Sequence, residues 1–481
     1  MNRTFFRPAA LILASSGALS ACSYLPSGFG GAGADSAQPV SAAATALSAE
    51  TDSLASRPWA FGRSLDRAVI TDWAMLTGNT QIAALIQQGL TANPSLRAGA
   101  ESIVRADAQR RIAEAARSPF LSFSTGANLS SPLEDADLRD SFSAALTASW
   151  EADIWGRLRT DIATAELDLL SARAFHESAR QSLAAEVARA ALSAIEFQQQ
   201  AAVTRETVEA LEETLRLVRV RFDEGFSPRL DVVLAESDLA SAQDTLVSFE
   251  AAARASKRRL NILTGQYPDA VVDLPAQFPN VLVAAPTGTP GDLLASRPDL
   301  LGAAFAVQAA FSDVASVEAG RWPELSISGG LSGSGELEDL IDPAGYAVSL
   351  GLRLANSLFD GGLTRARVDL AGSGARQAVA DLGARYLTAL SEVEGRLDDI
   401  ETLARRRVLQ ETAARAARES LRLAEIRFRE GDIDLLDVLD FRQRAFAADR
   451  SLITLAGDEA EARIALYLAL GGDMSGRPAA N

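Results

Sequence analysis

The side chains that most often do chemistry are almost missing from this 481-residue chain, which has one histidine, His176, and one cysteine, Cys22. That inventory leaves nothing from which to build a transition-metal site. His176 lies between Phe175 and Glu177 in a run of helix formers, where a satisfied or solvent-facing side chain is expected rather than a ligand. The glycines within 28–33 follow no strand and precede no lysine, so they form no phosphate loop. No enzyme and no cofactor is therefore expected. What remains is carboxylate. Asp437 and Asp440 are three residues apart, hence on one helix face. Gathered by symmetry, such acids repel, raise one another's pKa and favour cations over anions. The same spacing also fits two ordinary acids near a helix start, stabilised by the dipole.

Cys22 closes the sequence Leu19-Ser20-Ala21-Cys22, preceded by Arg3, Arg7 and a short apolar run from Ala9 to Leu19. That is a secretion signal over 1–21, too short to span a bilayer as a mature helix. The four residues resemble the bacterial lipobox, which implies cleavage before Cys22, a lipid on its thiol and, with Ser23 following, export to the outer membrane. A second cysteine is lacking, so no intramolecular disulfide forms. After cleavage 44 basic residues face 63 acidic ones, which argues against nucleic acid as a partner. Residues 23–60 are crowded with Gly, Ser and Pro and read as a tether within an N-terminal arm and equatorial segment, 22–78. The remainder shows no apolar run near 18 residues, so α-helical membrane spans are not expected.

The elements that position the acids are written twice. Glu213–Gly265 and Glu419–Gly471 match at a constant offset of 206 residues, pairing Phe222 with Phe428, Gly225 with Gly431, Asp231 with Asp437 and Gly265 with Gly471. A repeat of this length is one structural unit used twice. Thr160–Phe222 contains neither Pro nor Gly, and as a helix would run roughly 90 Å. Leu363–Phe428 is its partner. Val208, Leu211, Leu215, Val218 and Phe222 step by three and four, and Ala414, Ala417, Leu421, Ala424 and Phe428 keep the same register, which is a coiled-coil seam. Short breaks at 223–229 and 429–434 turn each long helix into a return helix. Gly225 and Gly431 supply the left-handed caps, Ser227 or Asp432 and Asp434 the next N-caps, and Arg221 and Arg427 last-turn cations. Shorter helices, Gln81–Arg117 and Gly291–Gly320, precede each long one; Asn93-Pro94-Ser95-Leu96 answers Arg297-Pro298-Asp299-Leu300.

Between the shorter and longer helices the period changes to two, giving hairpins over 120–155 and 324–355. Each strand is about 10 residues, the length of a tilted membrane strand. A soluble sheet with one wet face gives the same alternation. The lipid signal, the paired hairpins, and Trp150 and Trp155 at one strand end favour the membrane. Four strands cannot close a barrel, and open edges in lipid leave backbone groups unsatisfied. Three copies supply twelve strands and a usable lumen, whereas two supply eight and a filled interior. The expected fold is thus mainly α with membrane β: a trimeric barrel continued by a long α-helical barrel. The repeats cover 79–265 and 290–472, with a linker at 266–289 and a tail at 473–481.

Taken together, Asn93-Pro-Ser-Leu96, Trp150-Glu-Ala-Asp-Ile-Trp-Gly-Arg157, Arg221-Phe-Asp-Glu-Gly225, Arg297-Pro-Asp-Leu300, Leu358-Phe-Asp-Gly-Gly362, Arg427-Phe-Arg-Glu-Gly431 and Leu436-Asp-Val-Leu-Asp440 resemble the outer-membrane efflux protein family, TolC/OprM-like, in its NodT-type lipoprotein branch. The resemblance covers residues 60–472. It implies a homotrimeric conduit in the Gram-negative outer membrane. Its tips would meet a periplasmic adaptor connected to an inner-membrane transporter of the RND type. It also implies that Arg221, Gly225, Arg427 and Gly431 belong to the adaptor-contacting tips. Asp437 and Asp440, with Asp231 as the weaker equivalent, would form the constricting ring at the entrance. Ile433 stands where some members hold the closed state with a basic residue. Two rival functions are a conduit for protein secretion and a periplasmic coiled-coil adaptor lipoprotein. The second would carry a small β-domain between its helices rather than bare hairpins.

Overall fold

The computed structural model describes residues 59–60, 72–130, 139–282, 290–336, 342 and 345–472. Cys22, the signal and the arm up to residue 58 lie outside the described residues. The first half runs α1 (Trp73–Thr77), α2 (Thr80–Ala92), α3 (Pro94–Ala115), β1 (Phe120–Ser130), β2 (Arg139–Ala152), α4 (Arg157–Asp223) and α5 (Arg229–Leu263). The second runs α6 (Leu293–Ser296), α7 (Pro298–Ala319), β3 (Glu324–Gly335), β4 (Tyr346–Ala355), α8 (Leu363–Glu430) and α9 (Leu435–Ala469). The long helices α4 and α8 have 67 and 68 residues, so each extends roughly 100 Å.

The expected single helices over 81–117 and 291–320 are each broken. Pro94 and Pro298 both sit at the first helical position, where a missing N–H costs nothing and the preceding residue is pushed to extended backbone. The break has a purpose that only the tertiary structure shows. Asn93 Oδ1 accepts from the amides of Ser95 (2.9 Å) and Leu96 (3.1 Å) at the start of α3, while its Nδ2 donates to the Leu263 carbonyl (2.9 Å) at the end of α5. One buried side chain thus joins two helix ends 170 residues apart, and α5 and α3 stack as one interrupted helix antiparallel to α4. In the second half Arg297 does this: its Nη1 donates to the Ala469 carbonyl that ends α9 (3.2 Å), and its guanidinium pairs with Asp299 (2.8 Å) and with Glu392 of α8 (2.6 Å).

All four hairpin ends close alike. The amides of Phe226, Gln266, Asp432 and Gly472 bond to the carbonyls of Arg221, Asn261, Arg427 and Tyr467, five residues back, around Gly225, Gly265, Gly431 and Gly471. Those four glycines hold positive φ, the Schellman closure that satisfies the last carbonyls of a helix. The starts of the long helices also match. Asp153 accepts from the amides of Leu158 and Arg159, and Asp360 from those of Gly362 and Thr364. These bonds, with the Thr364 hydroxyl first, hold the Asp360 carboxyl at about 2. Most of the phrases that carried the resemblance are therefore joints.

The four strands form one antiparallel sheet in the order β1-β2-β3-β4. Its register puts Phe123 opposite Leu146, Leu146 opposite Leu331 and Leu331 opposite Val348, with Trp150, Ile327 and Leu352 in another row. The apolar alternates thus lie on one face, with Phe120 at the start of β1 falling on the other. The other face carries Ser122, Ser124, Thr147, Ser149, Ser326, Ser328, Ser349 and Gly351. Leu350 is 86% exposed, which no water-facing sheet would favour. Trp155 stacks on Trp322 at one end of the sheet and donates to the Pro323 carbonyl.

The core follows the long helices. One cluster gathers Trp73, Leu76, Ala185, Val187, Ala191, Leu192, Ile195, Leu260, Val281, Ile464 and Tyr467; another gathers Leu300, Tyr386, Val393, Leu397 and Leu466, with Trp59 packed against it. Three sequence expectations change. Residues 298–319 are apolar enough to cross a membrane by composition, contrary to the expected absence of such a run; α7 is apolar because it packs against both α4 and α8. Phe222 ends the expected seam but is exposed, whereas Phe428 packs against the tip cluster. Ser227 does not cap α5; Pro228 takes the N-cap position with no side-chain bond.

Candidate functional site at the helical tips

Near the tips, α4 and α5 of one hairpin pack against α9 and α8 of the other. Val208, Leu211 and Val218 of α4 share a cluster with Ala242 of α5 and with Leu435 and Leu439 of α9. Asp434 caps α9 by accepting from the Asp437 amide (3.0 Å), which fixes where its first turn begins. Asp437 and Asp440 are then exposed, while Leu435, Val438 and Leu439 are buried. Asp440 pairs with Arg444 at 2.7 Å. Asp231 sits half-buried in the first turn of α5. A single chain thus brings Asp437 and Asp440 to one exposed face, and leaves Asp231 on the other hairpin.

The tip arginines, equivalent by sequence, behave differently. The Arg221 guanidinium lies 5.1 Å from the centre of the Phe428 ring, tying one hairpin tip to the other. Arg427 is exposed and 3.9 Å from Asp432 in its own turn. Gly225 and Gly431 have no atoms near the position of an added Cβ, so only backbone conformation demands glycine there.

Away from the tips, burial raises the pKa of Glu196 on α4, and the neighbouring Asp458 and Glu461 add to the rise against a hydrogen bond from Thr454. His176 is half-buried against Gly99, and its Nδ1 has no hydrogen-bond partner among the described residues, unlike the satisfied or solvent-facing residue expected. Among the described residues no three His, Cys, Asp or Glu side chains are placed to hold a metal. Sequence reasoning passed over Arg442, which is largely buried between three helices. Its one signal was an exchange of charge with its repeat counterpart, Glu236.

The sequence profile of outer membrane efflux proteins matches residues 85–266 and 289–472, most of the chain and one copy per repeat. The chain belongs to the outer membrane efflux protein family. The family places the protein among outer-membrane channels of efflux systems, with no assignment of what passes through. The chain is 28% identical over 427 residues to the pyoverdine export outer membrane protein OpmQ of Pseudomonas aeruginosa, covering 86% of this chain and 89% of that one. It is 26% identical to nodulation protein T of Rhizobium leguminosarum bv. trifolii, covering 84% and 88%. In structure it is similar to the outer-membrane channel OprN, with TM-score 0.77 at 28% identity over 88% of this chain and 95% of that one. The family's trimeric channel fold supplies the partners for the open edges of β1 and β4.

Proposed function

We propose that three copies form one continuous passive conduit that carries small toxic or amphipathic compounds outward. An inner-membrane transporter of the RND type would deliver them through a periplasmic adaptor. The observation that carries this reading is the strand register, which collects leucines, two phenylalanines and a tryptophan on one face and the strand serines, with Thr147 and several glycines, on the other. A twelve-strand barrel built from that sheet is greasy outside and hydroxyl-lined inside. The long helices continue the tube into the periplasm, and lipid on Cys22 holds the chain to the outer membrane. The tips around Arg221, Gly225, Arg427 and Gly431 meet the adaptor. Asp437 and Asp440 of three chains form a six-carboxylate ring at the entrance, with Asp231 behind it.

The exposure of Asp437 and Asp440 on one side of α9 supports the ring, and the Arg444 partner of Asp440 tempers its charge. The purified protein in a planar lipid bilayer should run as a heat-modifiable trimer and conduct; a monomer without current would sink the channel reading. Replacing Asp437 and Asp440 together by Asn should lower cation selectivity, and an unchanged reversal potential in a salt gradient would remove the ring. Loss of palmitate labelling in Cys22→Ala is expected of the lipid anchor, and retained labelling would contradict it.

A further inference from the structure

A cleft of about 360 Å³ opens along α9 between α4 and α8, well behind the tips, at the size where small-molecule sites begin. Two guanidiniums line it, Arg450 of α9 and Arg406 of α8, against one carboxylate, Asp458. Arg405 and Arg407, on either side of Arg406, hold Glu401 and Glu411. Arg406 and Arg450 hold no carboxylate among the described residues.

Arg450 is positioned but not satisfied. Its guanidinium lies 4.6 Å from the centre of the Phe249 ring and 5.4 Å from that of Phe446, within cation–π range of both. Its Nε donates to Gln200 Oε1 (3.3 Å), and Gln200 Nε2 donates back to the Arg450 carbonyl (3.0 Å) and to the Thr454 hydroxyl oxygen (3.1 Å). Gln200 is buried, so a fixed amide aims the fork. The two Nη groups make no hydrogen bond to any described residue. Burial lowers the Arg450 pKa, and no neighbouring carboxylate offsets the lost hydration. An incoming carboxylate would, through two parallel charge-assisted bonds.

Heptad steps say which way the cleft faces. Asp437, Arg444, Ser451 and Asp458 are spaced by seven, as are Asp440, Ala447 and Thr454. In a supercoiled helix such steps return to one side. Ser451 lies about 20 Å along α9 from Asp437. Another side of α9 meets the 266–282 segment, where Arg463 donates to the Val281 carbonyl (2.7 Å) and Gly457 approaches the Phe278 ring. The cleft therefore opens onto the space that the acids of the ring surround. We propose that it is a lumenal binding site for aromatic organic acids, with Arg450 and Arg406 taking the carboxylate and the adjoining Phe446 ring the flat apolar body. Three copies per trimer offset, just beyond the entrance, the repulsion that the acidic ring imposes on anions. This rests on the conduit reading above and names a substrate class for it.

Ser451→Cys in the full-length trimer tests it, in a planar bilayer, with wild type as the control and trimer bands on gels as the assembly check. Ser451 is exposed in the cleft. Thiosulfonate reagents added from the barrel side reach it without passing the ring. Relative to a free thiol in solution, the sulfonate-bearing reagent should be favoured several-fold over the ammonium-bearing one. 1-Naphthoate should slow the modification saturably, and 1-naphthylmethylammonium should not. Arg450→Gln in the same background should raise the half-protecting concentration about tenfold, and Arg406→Gln should raise it less. Arg406 is exposed, so that variant tests the site even where Arg450→Gln fails to assemble. Arg450→Lys keeps the charge without the fork, so it should retain the sulfonate preference yet protect as poorly as Arg450→Gln. A conducting trimer whose Cys at 451 is unreactive from the barrel side would overturn the lumenal placement. Equal protection by the two naphthalenes, or protection unchanged in both Arg→Gln variants, would overturn the acid site. A wild-type trimer without current would remove the conduit reading, whereas a conducting one without protection removes only the cleft.

Discussion

Asn93→Ala tests whether one side chain splices α5 to α3. Asn93 is 7% exposed and makes three hydrogen bonds, two as an N-cap acceptor and one as donor to the Leu263 carbonyl. Losing a side-chain N-cap costs about 1 kcal/mol. Leaving the Leu263 carbonyl without its donor in a buried joint costs about 1–3 kcal/mol more. The sum is about 2–4 kcal/mol per chain. Unfolding entropy of about 2.1 cal/mol/K per residue amounts to about 1 kcal/mol/K for a chain of this length, so the midpoint should fall by about 2–4 °C. Asn93→Asp separates the two roles. It keeps the cap acceptor and adds a favourable charge at the helix N-terminus, but it loses the donor and turns an anion toward the carbonyl. Its midpoint should lie between wild type and Asn93→Ala. The assay is thermal loss of helical circular dichroism from the detergent-solubilised trimer at fixed concentration, with amide exchange at Ser95 and Leu96 as the local readout. An Asn93→Ala midpoint equal to wild type would refute the splice. An Asn93→Asp midpoint equal to wild type would show that the bond to Leu263 contributes nothing.

Three further outcomes follow from the same geometry. Gly431→Ala meets open space and should cost only the left-handed backbone, about 1–2 kcal/mol; Gly471→Ala also drives a Cβ onto the Ser296 carbonyl and should impair trimer yield well beyond it, so equal yields would count against the tight approach of the α9 end to the end of α6. Leu350→Arg should cost about 2–4 kcal/mol if its face meets lipid at mid-depth, whereas Ser349→Arg on the opposite face should assemble and alter conductance; heat-modifiable bands distinguish them, and equal assembly would reverse the assigned faces. Burial raises the folded pKa of Glu196 above its unfolded value, so its charge opposes folding at neutral pH and the penalty disappears as pH falls through the folded pKa. Glu196→Gln should therefore raise the thermal midpoint at pH 7 and lose that advantage in acid; an advantage independent of pH would point to packing instead.

The candidate site was legible in part. The caps that aim Asp437 and Asp440 are local: Gly431 at the end of one helix and Asp434 at the start of the next act within four residues. The seam through Val208, Leu211 and Val218 was readable because it repeats along one helix. Its end at Phe222 was not, because the burial of Phe428 and exposure of Phe222 depend on which hairpin lies above the other. Ser227 had the right chemistry for a cap, yet the chain places Pro228 in that position instead. Arg442 left almost no trace, since two of its partners are a main-chain carbonyl and a threonine on another hairpin.

By itself the sequence determined the elements and their duplication. Helix propensity, the change of period from 3.6 to 2, and glycine or proline at each turn act over a few residues and repeat at 206. The tertiary structure alone decided what those elements touch. It paired β2 with β3 across the whole of α4 and α5, stacked α3 on α5 and α7 on α9, and turned one charge-exchanged arginine into a tie between hairpins. Such contacts join residues more than 150 positions apart through backbone carbonyls, which every residue possesses. No residue type marks them in the chain, and only the packed arrangement says which carbonyl is within reach.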